Sequence, residues 1–315
     1  MTSLDQFIAA GGPATNAAVT CAALQRAAPG CVAGDEWKTE LFTATGRDIA
    51  AKIISDDLER QGVRVTDCTG EDHLAGDADL TPAVSSIFVS ARTGSRTLAS
   101  TNSRLPLDTA PLVEARCGGG TGRDADGDQW RPRVLLVDGH NPALAAAALA
   151  TATLDTDRDP FAAIDTKPPY LRILDGGSWK PWLPPMLPFI DVAIISADFR
   201  APGARDVEDT VAFLRGFGIE RVIQTHGGDA TRWWWCDTTG EAMPPQVDTR
   251  CTLAAGDVFH GAFAYACARG WVDRATTSPA RAVRFANEVA SLSTTVFGTR
   301  AWLADPRVRD IVTQF

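Results

Sequence analysis

The sequence predicts an α/β protein in which a mostly parallel sheet carries helices on both faces. Three observations predict it: short apolar runs recur, helix-period stretches stand between them, and most runs close on a polar residue or glycine. "RVLLVD" (133–138), "RILD" (172–175), "DVAII" (191–195) and "RVIQT" (221–225) read as buried strands. "NPALAAAALATAT" (141–153), "DVEDTVAFLRGFG" (206–218) and "SPARAVRFANEVASLS" (278–293) read as helices, the first and last opened by Asn or Ser with Pro next. Ligands of such a sheet sit at the carboxyl ends of its strands. One stretch breaks the alternation. "AVSSIFVSARTGSRTLAS" (83–100) is two β-rich runs around "ARTG", a hairpin signal. A lone hairpin is marginal in water, so it is expected to pack on something or to form part of a lid. "CGGGTGRDADGD" (117–128) reads as a Gly/Asp-rich loop.

Charge and cysteine usage exclude several function classes. The 315 residues carry a net charge of −9, which argues against non-specific binding of nucleic acid or an anionic membrane. No stretch approaches the roughly 18 apolar residues of a membrane span, and the first residues lack the basic start and apolar core of a signal peptide. Seven cysteines, with no Cys-x-x-Cys pair, suggest neither a disulfide framework nor a zinc site. A cytoplasmic protein with reduced thiols is the expectation.

Familiar nucleotide and calcium signatures fail on context. Gly120-Thr-Gly122-Arg-Asp-Ala125 has no strand before it and no helix after it. Asp124-Ala-Asp126-Gly-Asp128 places its glycine fourth rather than sixth, with no closing Glu. None of the four lysines follows a glycine, which excludes a Walker P-loop.

"RCTLAAGDVFHGAF" (250–263) is different. Its apolar continuation, "HGAFAYACA", reads as a helix ended by Gly270, with Ala255, Gly256 and Asp257 at its start. Backbone N–H groups and the positive dipole end collect there, and small residues let an anion approach. Asp257 suits a plain helix cap. It equally suits a base beside an anion hole, the pairing that phosphoryl transfer needs. A second cluster, "GGPATNAAVTCAAL" (11–24), reads either as a glycine hinge before a buried helix or as a close-approach loop, with Asn16 offering donor and acceptor to a polyol.

Together and in this order, the two clusters resemble the PfkB (ribokinase-like) family of carbohydrate kinases. Its members open with Gly-Gly, Asn and an Ala-rich helix, as in "GGPATNAA", and close with Asp-Thr-x-Gly-Ala-Gly-Asp, approximated by "CTLAAGD". "FTATGRDIAAKIISDDLERQGV" (42–63) is similar to the family's Gly-x-Asp stretch and helix, "GSRT" (94–97) to its lid strand, and "NEVASLSTTVFGTR" (287–300) to its closing helix and loop. "GGPATNAA", "LDGGSWKP" and "GDVFHGAF" most resemble the sulfofructose-kinase and ketohexokinase side of the family.

The resemblance implies a single ribokinase-like domain over 1–315, with a Rossmann-like sheet and a β lid formed by about 1–12 and 82–102. It implies ATP and Mg2+, optionally with a monovalent cation, and a sugar substrate. Asp257 would be the base, and the amides of Ala255, Gly256 and Asp257 would form the anion hole, with Ala254 joining them in the catalytic loop. Gly11, Gly12, Asn16, His140 and Lys180 would meet the sugar. Thr225, Gly227, Gly228 and Asn287 would serve ATP. A homodimer through the lid is implied; nucleic-acid and membrane partners are not. His140 equally fits a plain loop histidine, and Lys180 a surface lysine.

The departures carry expectations too. Cys251 and Ala254 replace the motif's Asp and first Gly, and a methyl at 254 suits only a backbone that needs no positive φ. The family's magnesium-organising Asn-x-x-Glu is absent near "ISADF" (195–199), where Ser196 and Asp198 stand in, so the metal ligands stay unassigned. Only ten residues precede Gly11, too few for the family's first strand, its turn and a lid strand. Asp5 is then expected in the lid, the chain is expected to be a shortened form, and the central sheet should show a gap or unpaired edge. Two rival readings stand beside the sugar kinase: a family member that has lost catalysis and acts by binding or regulation, and a kinase of nucleosides.

Overall fold

The computed structural model describes residues 5–29, 39–71, 80–90, 96–101, 105–117, 132–151 and 168–315. Helix α1 (Pro13–Ala27) starts at Gly12, whose φ of 106° only glycine adopts without strain, and at Pro13, whose ring suits a first turn. Its small side chains allow it to be buried from Thr15 to Gln25. Strands β1 (Glu40–Thr43) and β2 (Arg64–Asp67) pair in parallel across helix α2 (Ile49–Arg60). Asp48 caps α2, accepting from the Ala50 and Ala51 N–H groups at 2.8 and 3.0 Å. Then come the hairpin β3 (Ser85–Val89) and β4 (Arg96–Ser100), helix α3 (Ala110–Cys117), β5 (Val134–Asp138), α4 (Pro142–Thr151), β6 (Leu171–Gly176) and β7 (Val192–Ser196). Helix α5 (Val207–Arg215), β8 (Arg221–Thr225), β9 (Thr231–Trp235) and β10 (Thr238–Ala242) follow, and α6 (Ala255–Ala268), α7 (Ala280–Ser293) and α8 (Arg307–Gln314) close the chain.

The chain divides into two compact units. One comprises Met1–Leu107, Pro245–Ala262 and Glu288–Phe315; the other comprises Asp108–Pro244 and Phe263–Asn287. The second unit holds a six-stranded sheet in the order β10-β9-β8-β7-β6-β5, parallel from β5 to β8 and antiparallel beyond. The four strands read from the sequence are its parallel part. The β9–β10 hairpin had no such signal, because "TRWWWCDTTGEA" mixes a bulky aromatic run with a polar one.

In the first unit, β1–β2 and β3–β4 are separate two-stranded sheets. Among the described residues the parallel strands do not form one sheet, and β5 and β10 are the two edge strands of the larger one. Residues 5–11 have no regular structure, and among the described residues the hairpin strands pair only with each other. Phe7 instead packs edge-on to Phe297, at 5.5 Å between ring centroids. The tip "ARTG" and the loop 118–128 lie outside the described residues. No helix among the described residues is long and apolar enough to cross a membrane. Burial pushes the Cys21 thiol up to about 11, against a smaller lowering by a hydrogen bond with Thr39, so it behaves as an inert core group.

A buried ion cluster anchors the second unit. Arg172 on β6 is fully enclosed, and its Nε donates to Asp191 Oδ2 at 2.9 Å and its Nη2 to Oδ1 at 3.3 Å. The Arg172 backbone N–H and Arg274 Nη2 donate to the same Oδ2 at 3.0 and 2.9 Å. Burial by itself would raise the Asp191 carboxyl, but the Arg172 hydrogen bond and charge, with Arg274 beyond, hold it below its ordinary value. A depressed folded-state value means that the contribution is complete above the ordinary carboxylate range and is lost as pH falls through the folded-state value. Asp191→Asn should cost about 3–5 kcal/mol at neutral pH, because Arg172 stays buried without its counter-charge. Urea unfolding at neutral and strongly acid pH checks this, since the gap from wild type should shrink as acid protonates Asp191.

Candidate active site

In the first unit, α1 and α6 approach so closely that no side chain fits between them at one point. A Cβ built on Gly261 would lie 2.4 Å from the Ala17 carbonyl oxygen and 2.8 Å from Thr20 Cβ. Gly261 stands one turn after Asp257, on the same helical face, and Asn16 immediately precedes Ala17. The crossing thus brings Asn16 against Asp257, and Asn16 Nδ2 donates to Asp257 Oδ2 at 2.8 Å. Residues 241 positions apart in sequence become hydrogen-bond partners.

Asp257 is the third residue of α6, inside its first turn rather than at its cap. The cap position is Ala254, whose carbonyl accepts from the Val258 N–H at 2.9 Å. Ala254 has φ +62°, so the condition under which a methyl is easily accommodated there is not met. The chain keeps a glycine-type conformation with an alanine in it, at a strain of about 1–2 kcal/mol. Of the three amides assigned to an anion hole, Ala255 N–H is used internally, donating to the Thr252 carbonyl at 3.3 Å. Gly256 N–H has no acceptor among the described residues, and a Cβ placed there would meet nothing within 4 Å. The space on the Cα side of Gly256 is thus open, and the missing side chain leaves the helix start unshielded there. His260, one turn on and buried, lies with Nδ1 2.7 Å from the Gly256 carbonyl.

The residues expected around the sugar fall in both units. Gly11 and Gly12 precede α1, with open space beside Gly11. His140 and Lys180 belong to the second unit, just beyond the carboxyl ends of β5 and β6. Their segments touch: Trp182 Nε1 donates to the Gly139 carbonyl at 2.9 Å, and a Cβ on Gly139 would lie 3.3 Å from Lys180 Cγ. Lys180 Nζ donates to Ser178 Oγ at 2.6 Å. Thr225 ends β8, and Gly227 and Gly228 follow with nothing within 4 Å of an added Cβ, an open backbone stretch at a strand's carboxyl end. Asn287 is committed within the protein: Oδ1 accepts from Thr231 Oγ1 at 2.9 Å and Nδ2 donates to the Ala242 carbonyl at 3.2 Å. Ser196 Oγ donates to the Gly177 carbonyl at 2.6 Å and accepts from the Asp198 N–H, forming a turn. No group of three or more His, Cys, Asp or Glu gathers among the described residues.

Residues 192–305 match the model of the pfkB family of carbohydrate kinases. The match spans 114 of the 315 residues, a little over a third of the chain. The family is one of phosphotransferases with an alcohol group as acceptor. A solved ribokinase from Giardia lamblia aligns with all of this chain and 94% of its own, at TM-score 0.67 and 15% identity. The Arabidopsis thaliana ribokinase, solved with ribose and ATP, aligns with 100% of this chain and 91% of its own, at TM-score 0.65 and 16% identity. An adenosine kinase from Anopheles gambiae covers 92% of this chain and 80% of its own, at TM-score 0.61 and 16% identity. These likenesses show the fold, which is ribokinase-like. No curated protein sequence matches the chain.

Three features of this site escaped the sequence. The closeness enforced by Gly261 had a faint signal, a glycine in an otherwise apolar helix. Arg300, which donates to Asn16 Oδ1, and Asp57, which pairs with Arg300, had none beyond their place in the closing loop and in α2.

Two substitutions test this geometry. Gly261→Ala should lower both melting temperature and turnover, despite alanine's better helix propensity of about 1 kcal/mol, because the methyl separates Asn16 from Asp257. An unchanged melting temperature would show that the helices can part without cost. Ala254→Gly should leave stability unchanged or raise it by up to about 1 kcal/mol, since relief of left-handed strain outweighs the added freedom of the unfolded chain. Chemical denaturation reads the sign, and a clear loss would show that Ala254 is unstrained.

Proposed function

We propose that the chain is an ATP-dependent kinase that transfers the γ-phosphoryl group of ATP to a hydroxyl of a sugar or sugar derivative, with Asp257 as the base. The observation that carries this reading is the Asp257 carboxylate in the first turn of α6, hydrogen-bonded to Asn16 and next to the open Gly256 amide. A carboxylate there can take the proton of a hydroxyl as it attacks phosphorus, while the amide and the helix dipole receive charge on the transferring oxygens. The maintained positive φ at Ala254 supports the same reading, because strain of this kind persists at sites that use the shape it creates.

In this proposal Gly11, Gly12 and Asn16 line the sugar, His140 and Lys180 stand by its substituents, and Thr225, Gly227 and Gly228 hold the nucleotide phosphates. Asn287 supports the nucleotide side by tying α7 to the β9–β10 hairpin. Exposed Phe88 and Leu98 give the lid hairpin apolar surface on both faces, suited to covering a sugar and to pairing with a second subunit.

Asp257→Asn is close to isosteric and keeps an acceptor for Asn16, so stability should change little. Its kcat should fall by roughly 10²–10⁴-fold with ATP binding nearly intact. ADP release over ketoses, aldoses, sulfosugars and nucleosides reads both the loss and the acceptor class. Near-normal turnover in the variant would remove Asp257 as the base. Release with a nucleoside alone would move the acceptor class, and release with none would favour a binding or regulatory protein.

A further inference from the structure

We infer that Arg300 is a positioning residue for Asp257, acting through Asn16, whose amide it holds in one of its two possible orientations. The inference rests on the reading of Asp257 as the base.

The reasoning starts from what each group can donate. A guanidinium has only donors, so the atom that faces it must be the carbonyl oxygen of the Asn16 amide. Arg300 Nη1 donates to Asn16 Oδ1 at 3.1 Å. The amide nitrogen is thereby turned toward Asp257, where it donates at 2.8 Å. Reversing the amide would set N–H against guanidinium and oxygen against carboxylate, two unfavourable contacts in exchange for two favourable ones.

Arg300 is itself held on all sides. Its Nε and Nη2 donate to Asp57 Oδ2 at 3.2 and 3.0 Å, Nη2 also to the Ala10 carbonyl at 2.7 Å, and Nη1 also to Thr299 Oγ1 at 3.0 Å. Asp57, buried on α2, accepts the Ala10 N–H at 2.9 Å as well. A buried ion pair contributes little net stability when compared with apolar packing, so orientation is what this arrangement supplies. A lysine could satisfy the charge of Asp57 but could not present donors in a planar fork to Asp57, Ala10 and Asn16 together. The other titratable groups beside the network are Arg60, 3.9 Å from Asp57 Oδ1, and His260, one turn after Asp257 on α6, whose Nδ1 lies 2.7 Å from the Gly256 carbonyl.

The test follows the Asp257 carboxyl directly. Protein labelled with ¹³C at aspartate carboxyls is titrated by NMR, and the Asp257 resonance is identified by its loss in Asp257→Asn. Arg300→Lys should raise the Asp257 titration midpoint above wild type, since an unanchored amide donates less well to the carboxylate. It should also lower kcat roughly 10–100-fold, as expected for a misplaced reacting group. Asn16→Asp leaves the Asp57–Arg300 pair in place and sets a second carboxylate against Asp257, so its midpoint should rise by about one pH unit or more. If Arg300→Lys does not fold, Arg300→Gln, whose single amide cannot donate to Asp57, Ala10 and Asn16 together, takes its place with the same raised midpoint expected. Wild-type midpoints in the folded variants would overturn the inference and leave Arg300 a structural residue only. Near-normal turnover in Asp257→Asn would instead overturn the base assignment, and the positioning role with it.

Discussion

The absence of a side chain at Gly261 is the constraint on which the rest of the first unit depends. Two helices at ordinary separation keep their axes 8–10 Å apart, with side chains filling the gap. Where a Cβ would stand 2.4 Å from the Ala17 carbonyl, the backbones themselves are in contact. Short side chains on the two helices then meet without long linkers, and Asn16 and Asp257 are both short. A longer acid on a more distant helix could reach the same point, but with more rotamers to lose and a less defined position. The run of small residues in α1, Ala17, Ala18, Ala22 and Ala23, is the same device seen from the other side, since α1 is buried almost throughout.

What was legible in the sequence follows from how local each signal is. The parallel strands β5 to β8 and the helices between them were legible because burial on both faces writes itself as continuous apolar runs, and helix starts write themselves as Asn-Pro or Ser-Pro. Asp257 was legible because a lone acid at the head of an apolar helix conflicts with burial. Its partners were not. Asn16, Asp57 and Arg300 come from three separated segments, and no periodicity relates a residue of α1 to one in the closing loop. The backbone at 254 was illegible for a related reason. Alanine is a poor witness to positive φ, and the sequence rule that assigns such positions to glycine describes the cost of the conformation, not its occurrence.

The two units use buried arginine for different ends. On β6, Arg172 meets Asp191 through two donors and Arg274 adds a third, so that strand and carboxylate are locked together as part of a packed core. In the first unit, Arg300 spends part of its fork on Asp57 and part on a neutral amide. The first arrangement neutralises charge within itself. The second hands an orientation on to a neighbour.

That difference explains why an asparagine, and not the arginine itself, touches the proposed base. A guanidinium set directly on Asp257 would engage both carboxylate oxygens and lower the carboxyl's affinity for a proton, and both effects oppose general-base work. A single amide N–H occupies one of about four acceptor positions on the carboxylate. It defines where the group stands while perturbing its basicity far less than a full positive charge would. Because Asp57 already balances Arg300, the charge behind the amide is compensated, and what reaches Asp257 is mainly direction. A base that must accept a proton in one step and release it afterwards is better served by a neutral neighbour held in place than by a permanent counter-ion.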